Sequence, residues 1–191
     1  MRRPVLATAL AVGILILPWG ARPVTPGAYY SKDEALALAF PDADAIHPKS
    51  AFLTEAQAAA VAKRTGTKPE SLLFSYYVGE RDGQVVGYAV IDTHIVRTLP
   101  ETFLAVLTPE GTVKQLILLA FYEPPEYQPS ERWLAQFQGR ALTGAGWRLG
   151  HDIHGISGAT LTARAIPEAL QKVLLLYELV MAPAAPAAKA P

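Results

Sequence analysis

The stretch Leu72-Leu73-Phe74-Ser75-Tyr76-Tyr77-Val78-Gly79, the turn Arg81-Asp82-Gly83, and the run Gln84-Val85-Val86-Gly87-Tyr88-Ala89-Val90-Ile91 decide the fold class. Both runs are rich in aromatic and β-branched residues, which suit a pleated, half-buried surface. An Asp-Gly step between them has the chemistry of a tight hairpin turn. The pattern recurs downstream. Thr102 to Leu107 and Thr112 to Phe121 read as a second hairpin around Pro109-Glu110-Gly111. Strands joined in succession by short turns predict an antiparallel sheet.

Helices are expected on either side of these strands. Ser31-Lys32-Asp33-Glu34 has capping-box spacing and opens a short helix through Phe40. Thr54-Glu55-Ala56-Gln57 repeats the device before a helix ending near Gly66. Glu123 to Pro129 carries three prolines, which remove donors and bias the residues before them, so no regular element is expected there. Ser130 to Phe137 reads as a short helix with Trp133, Leu134 and Phe137 on one face. Arg140 to Ile156 is a Gly-rich loop. The last helix runs from about Thr162 to Val180, with Ile166, Leu170, Val173, Leu174 and Tyr177 at helical spacing and Pro167 early in it. The fold class is α+β, an antiparallel sheet with flanking helices, preceded by a single N-terminal apolar helix.

The chain has 191 residues, with 17 lysines and arginines against 17 aspartates and glutamates. Zero formal charge argues against nucleic acid as a partner. No cysteine is present. Thiolate-held clusters, c-type haem attachment and disulfides are excluded, so redox chemistry would need a borrowed organic cofactor or a His/carboxylate metal site. At the N-terminus Arg2 and Arg3 precede an apolar stretch from Val5 to Trp19, the order expected for export with the arginines left inside. Cleavage after Ala21 or Ala28 would place Trp19 or Pro26 where a small residue is preferred, which favours an uncleaved anchor over a signal peptide removed in the periplasm. The expected organisation is a signal or anchor segment and tether over 1–28, a domain over 29–181 with its motif-bearing core at about 72–180, and an Ala/Pro tail over 182–191.

The chemistry concentrates in Ser157-Gly158-Ala159-Thr160-Leu161-Thr162, between the Gly-rich loop and the last helix. One reading is a small-residue helix start with Ser157 or Thr162 as N-cap. The other is a phosphate site: small residues let a ligand approach the backbone, and a helix N-terminus offers unpaired N–H groups and a partial positive charge. Thr160 adds a hydroxyl that could be esterified, although Thr is a poor nucleophile unaided.

This run resembles the S-G-A-T-x-T flavinylation motif of FMN-binding domains, found in the G subunit of Rnf electron-transport complexes and the C subunit of the sodium-translocating NADH:quinone reductase. The similarity extends over roughly Leu72 to Tyr177. Glu123-Pro124-Pro125-Glu126 stands where Rnf G subunits carry an E-T-P-G loop, and Trp133 to Phe137 with Gly139 and Arg140 stand at their W-x-x-x-F-x-G-K element. Val86-Gly87-Tyr88 and Pro109-Glu110-Gly111 fit the same pattern. Where members often carry Asp three residues before the motif's Ser, this chain has His154, with Asp152 two residues earlier.

The resemblance implies FMN joined through its phosphate to Thr160, with Ser157, Gly158, Ala159, Leu161 and Thr162 around it. It implies a flavin transferase as the enzyme that attaches the cofactor. It also implies a membrane redox complex, quinone or cytochrome as electron partner, and a domain on the extracytoplasmic side of the cell membrane. The chain would then be an electron-carrier subunit rather than a stand-alone enzyme. Further cofactor contacts are expected from Glu123 as a flavin-side acceptor, Trp147 as a stacking ring, and Arg97 and Arg164 as cations near the phosphate. Each also reads as an ordinary loop or surface residue. His151, Asp152 and His154 read as loop polar groups or a flavin contact rather than as metal ligands.

Overall fold

A computed structural model of the chain describes residues 27–66, 68–69, 71–142 and 146–182. The expected apolar helix at Val5–Trp19 and most of the Ala/Pro tail lie outside these residues. Among the described residues, no helix is long and apolar enough to cross a membrane.

The elements run β1 (Gly27–Ala28), α1 (Lys32–Ala39), β2 (Ala45–Phe52), α2 (Glu55–Thr65), β3 (Leu73–Arg81), β4 (Gln84–Ile95), β5 (Pro100–Leu107), β6 (Val113–Phe121), α3 (Glu131–Leu134) and α4 (Thr160–Leu176). The strands form one antiparallel sheet in the order β1-β6-β5-β4-β3-β2. The expected hairpins are its centre, and two edge strands join them. β2 escapes sequence reading because His47-Pro48-Lys49-Ser50 lacks apolar alternation, and Pro48 suits only an edge strand. β1 lies in the expected tether and pairs Gly27 with Phe121 and Ala28 with Ala120.

Both capping boxes form. Ser31 and Thr54 each accept from the N3 backbone, while Glu34 and Gln57 reach back to the cap. Gly66 ends α2 in the left-handed region. The proline segment contains one turn of 3₁₀ helix at Pro125–Tyr127, where proline at the first position loses no intrahelical bond. α4 starts two residues earlier than expected and continues as a π turn over Tyr177–Met181. Its N-cap is Ala159, and no side chain caps it, so neither Ser157 nor Thr162 plays that part.

Period-two alternation covers both sheet faces. Tyr88, Val90, Phe103, Ala105 and Leu107 face Ile166, Leu170, Val173 and Leu174 of α4. Ala89, Leu104, Val106, Ile117 and Leu119 face Ala35, Leu36 and Ala39 of α1. Trp133, Leu134 and Phe137 pack as one apolar face beside α4. Gly111, at φ +82°, is required by packing as well as by the turn. A Cβ there would overlap the Tyr177 ring, whose hydroxyl donates to Pro109 O at 2.6 Å.

The α4 layer also buries charge. His94 Nδ1 lies 3.1 Å from Asp92 Oδ1, and Asp92 also meets Lys172 of α4. Burial opposes the His94 imidazolium, but the hydrogen-bonded Asp92 and the neighbouring Glu101 carboxylate prevail and lift it to about 9. A folded value above the unfolded one of about 6.5 gives stability that is full below that pH and lost as pH rises through the folded value. Thermal melts should therefore show stability falling between about pH 6.5 and 9, by on the order of 3 kcal/mol. His94→Gln should flatten that decline.

Candidate functional site

The end of the sheet from which α4 departs carries a cleft of about 270 Å³. Its lining is Gly158, Ala159, Thr160, Leu161 and Thr162 from the α4 start, Val96 and Arg97 after β4, Glu123 after β6, and Tyr127. Residues from distant parts of the sequence thus meet at one helix N-terminus. A larger groove of about 590 Å³ runs along β6 between Leu38 and Glu131. It offers no helix N-terminus of eight residues or more and none of the run 157–162, so the smaller cleft is the candidate site.

The helix start is built to be approached. The first N–H groups of an α-helix have no intrahelical acceptor, and here no side chain serves them. Gly158, at φ +76°, occupies the left-handed region that allows the chain to turn into the helix. Ser157, Gly158, Thr160 and Leu161 are exposed, whereas Ala159 and Thr162 are buried. Thr162 uses its hydroxyl to donate to Tyr127 O at 2.9 Å, which ties the first turn of α4 to the 3₁₀ turn. Thr160, the helix's first residue, is exposed and lines the cleft.

Glu123 is a structural anchor of the cleft wall. It is 3% exposed. Its Oε1 accepts from the backbone N–H of Thr98 at 2.6 Å, Leu99 at 2.8 Å and Arg97 at 3.2 Å, and from the Thr98 hydroxyl at 3.4 Å. The Thr98 and Leu99 N–H groups, the leading causes, hold its carboxyl below the usual range. One carboxylate thereby fixes the β4–β5 connection that contributes Val96 and Arg97. The Arg97 guanidinium lies 5.8 Å from the Tyr127 ring centre, which keeps a cation at the cleft mouth.

Two expected contacts stand elsewhere. Trp147 packs against Phe137 at 5.7 Å, with Arg140 over its ring at 5.9 Å, and it does not line the cleft. Arg164 is exposed on α4 and is not part of the lining. The loop between them instead supports the site from behind. Trp133 Nε1 donates to His154 O at 2.8 Å, and the His154 N–H donates to Gln136 Oε1 at 2.8 Å. Arg140 donates to Asp152 O at 2.7 Å. The Asp152 carboxylate accepts from the Arg148 N–H and contacts His151, and these partners, the backbone N–H first, hold it at about 2. Val96 and Tyr127 carry no polar signal and escape sequence reading; their place follows only from the sheet's end.

The geometry now has a family. The FMN-binding domain family matches residues 75–175. The chain belongs to that family. Its cofactor is FMN, and the uncapped helix start with an open left-handed glycine before it fits a phosphate-bearing ligand. The crystal structure of Shewanella oneidensis NqrC shares the fold, with a TM-score of 0.51 and 17% identity over 67% of this chain and 77% of that one. No curated protein sequence matches the chain.

Removing the Thr162 hydroxyl in Thr162→Val keeps the shape but leaves the half-buried Tyr127 carbonyl without this partner. Chemical denaturation should show a loss of about 1–2 kcal/mol. Glu123→Ala should raise amide exchange at Thr98 and Leu99 by about tenfold or more, with the central strands unchanged. Equal exchange in both proteins would show that Glu123 does not hold the loop.

Proposed function

We propose that this chain is an exported, membrane-anchored FMN-binding electron carrier whose flavin phosphate is joined to Thr160 by a phosphodiester bond. The observation that carries the reading is the Thr160 hydroxyl, exposed at the uncapped start of α4 within the run Ser157–Thr162. A phosphodiester there would keep one negative charge against the first-turn N–H groups and the helix dipole. Arg97 adds a neighbouring cation.

Attachment calls for a second protein, because Thr is a weak nucleophile unaided and, among the described residues, no hydrogen bond joins a base to the Thr160 hydroxyl. A flavin transferase using FAD satisfies the balance. The threonine oxygen bonds to the FMN phosphorus, the bond between the two FAD phosphates breaks, AMP leaves, and the hydroxyl proton goes to solvent. FMN supplies one- and two-electron redox chemistry when bound, while the chain supplies position and electrostatics. Ser157, Gly158, Ala159 and Leu161 allow close backbone approach, and Thr162 and Glu123 hold the two walls in register. Leu99, Tyr122 and Leu161 stay more than two-fifths exposed near the cleft, a rim suited to contact with a redox partner.

The extracytoplasmic placement rests on Arg2-Arg3 followed by Val5–Trp19. A membrane redox complex, a quinone or a cytochrome would exchange electrons with the flavin. A covalent tether prevents dilution of the cofactor where free flavin is scarce.

Co-expression with a flavin transferase tests the attachment. Denaturing gels under ultraviolet light should show a fluorescent band for the wild type and none for Thr160→Ala. Intact mass should rise by one FMN unit less water. A wild-type band without fluorescence, or unchanged fluorescence in Thr160→Ala, sinks the covalent reading. Flavin that copurifies but leaves on denaturation would identify a reversible FMN module instead.

A further inference from the structure

Behind the cleft lie charged groups that the flavin site does not use. His94 precedes Val96 by two residues; β4 ends at Ile95, and Val96 opens the bend that follows, packed on the same core cluster as Val90 and Phe103. Val96 lines the cleft. The His94 ring stands between two carboxylates, with Nδ1 3.1 Å from Asp92 Oδ1 and Nε2 3.5 Å from Glu101 Oε2. Lys172 of α4 meets the other oxygen of Asp92, and Phe103 meets the ring at 5.6 Å. Glu101 is fully buried, and neither of its oxygens has a hydrogen-bond partner. Tyr29 is the other titratable group in its field.

Ionised Asp92, Glu101, His94 and Lys172 sum to zero charge. Buried ion pairs of this kind stabilise a fold little compared with apolar residues of the same volume. The pair of His94 and Glu101 has a different property. Burial pushes the Glu101 carboxyl up, while the imidazolium is lifted by its carboxylate neighbours. The carboxylate is thus the group ready to accept a proton. His94, its side chain 15% exposed and 3.5 Å from Glu101, gives it a route to water.

We propose that the His94–Glu101 pair is a proton-binding site coupled to the flavin cleft, its proton occupancy rising when the bound flavin gains negative charge and falling on reoxidation. The inference rests on FMN being held at the Thr160 cleft. With a quinol as donor, the quinol is oxidised to quinone and releases two electrons and two protons. The flavin takes both electrons and one proton and so gains one negative charge. The Glu101 carboxylate takes up to about half of the second proton by way of His94, which ends as it began, and the rest goes to solvent. A unit negative charge on the order of 10 Å away, at an effective dielectric of about 20, strengthens proton binding on the order of tenfold.

The test is a spectroelectrochemical titration of the FMN-loaded full chain between about pH 5 and 10, with proton uptake followed by an indicator dye. The wild type should take up about half an extra proton per two electrons over a window about one pH unit wide, which steepens the potential by about 15 mV per pH unit there. Glu101→Gln, which is isosteric, should lose that window. His94→Gln should move it to higher pH, because Glu101 loses the cation that favours its ionised form. If Glu101→Gln does not fold, the shift in His94→Gln decides alone. Identical profiles in the wild type and the variants overturn the proton site and leave the flavin assignment standing. A chain that takes up no flavin overturns both.

Discussion

The seating of α4 on one face of the antiparallel sheet is the constraint on which the rest of the molecule depends. Ile166, Leu170, Val173 and Leu174 are at most 1% exposed, and burying side chains of this size contributes about 1.5–3 kcal/mol each. That packing fixes the helix axis and therefore where its N-terminus emerges. The C-terminal end is pinned separately by Tyr177 against Gly111 and Pro109. With one end held by the β5–β6 turn and the stem held by the core, the first turn has little freedom. It comes out beside Val96, Arg97 and Glu123, at the far ends of the central strands.

The cleft walls are held by bonds that several of its own lining residues make to the backbone. Glu123 gathers the N–H groups of Arg97, Thr98 and Leu99, and Thr162 reaches the Tyr127 carbonyl. Both are buried polar groups whose partners are backbone atoms. Such bonds position loops without needing a second side chain in the correct rotamer. The helix start is left without a side-chain cap, a local loss of about 1 kcal/mol relative to a Ser or Asp N-cap. The fold tolerates this because tertiary burial, not capping, holds α4.

Much of this was legible in the residues. Alternation around Arg81-Asp82-Gly83 and Pro109-Glu110-Gly111 identified the central hairpins, and Ser31 and Thr54 announced α1 and α2 through capping boxes that do form. β2 was hidden because an edge strand exposed on both sides has no reason to alternate, and β1 because two residues cannot carry a pattern. The run Ser157–Thr162 marked the cleft, but its capping role was misread: a hydroxyl near a helix start suggests a cap, and only the tertiary partner Tyr127 reveals where Thr162 is committed. Trp147 reads as an aromatic in a glycine-rich loop, yet it packs half-buried against Phe137 at the edge of the core. Sequence spacing cannot show that a loop residue has a place in the core.

The charged groups beside this cleft divide by the partner each has found. Asp152 and Glu123 meet backbone N–H groups, which favour the ionised form and hold both carboxyls low. Glu101 has no such donor and is pushed up by burial, although His94 draws it back. Two carboxylates that anchor loops and one that answers to its surroundings are therefore distinguished by hydrogen-bond donors rather than by residue type. The anchors keep one charge state across the neutral range and fix geometry. The group without a donor can change charge, and it lies on the same strand pair, β4 and β5, whose connection forms the cleft wall. A charge placed in the cleft would thus act on a rigid wall and on one labile proton site behind it.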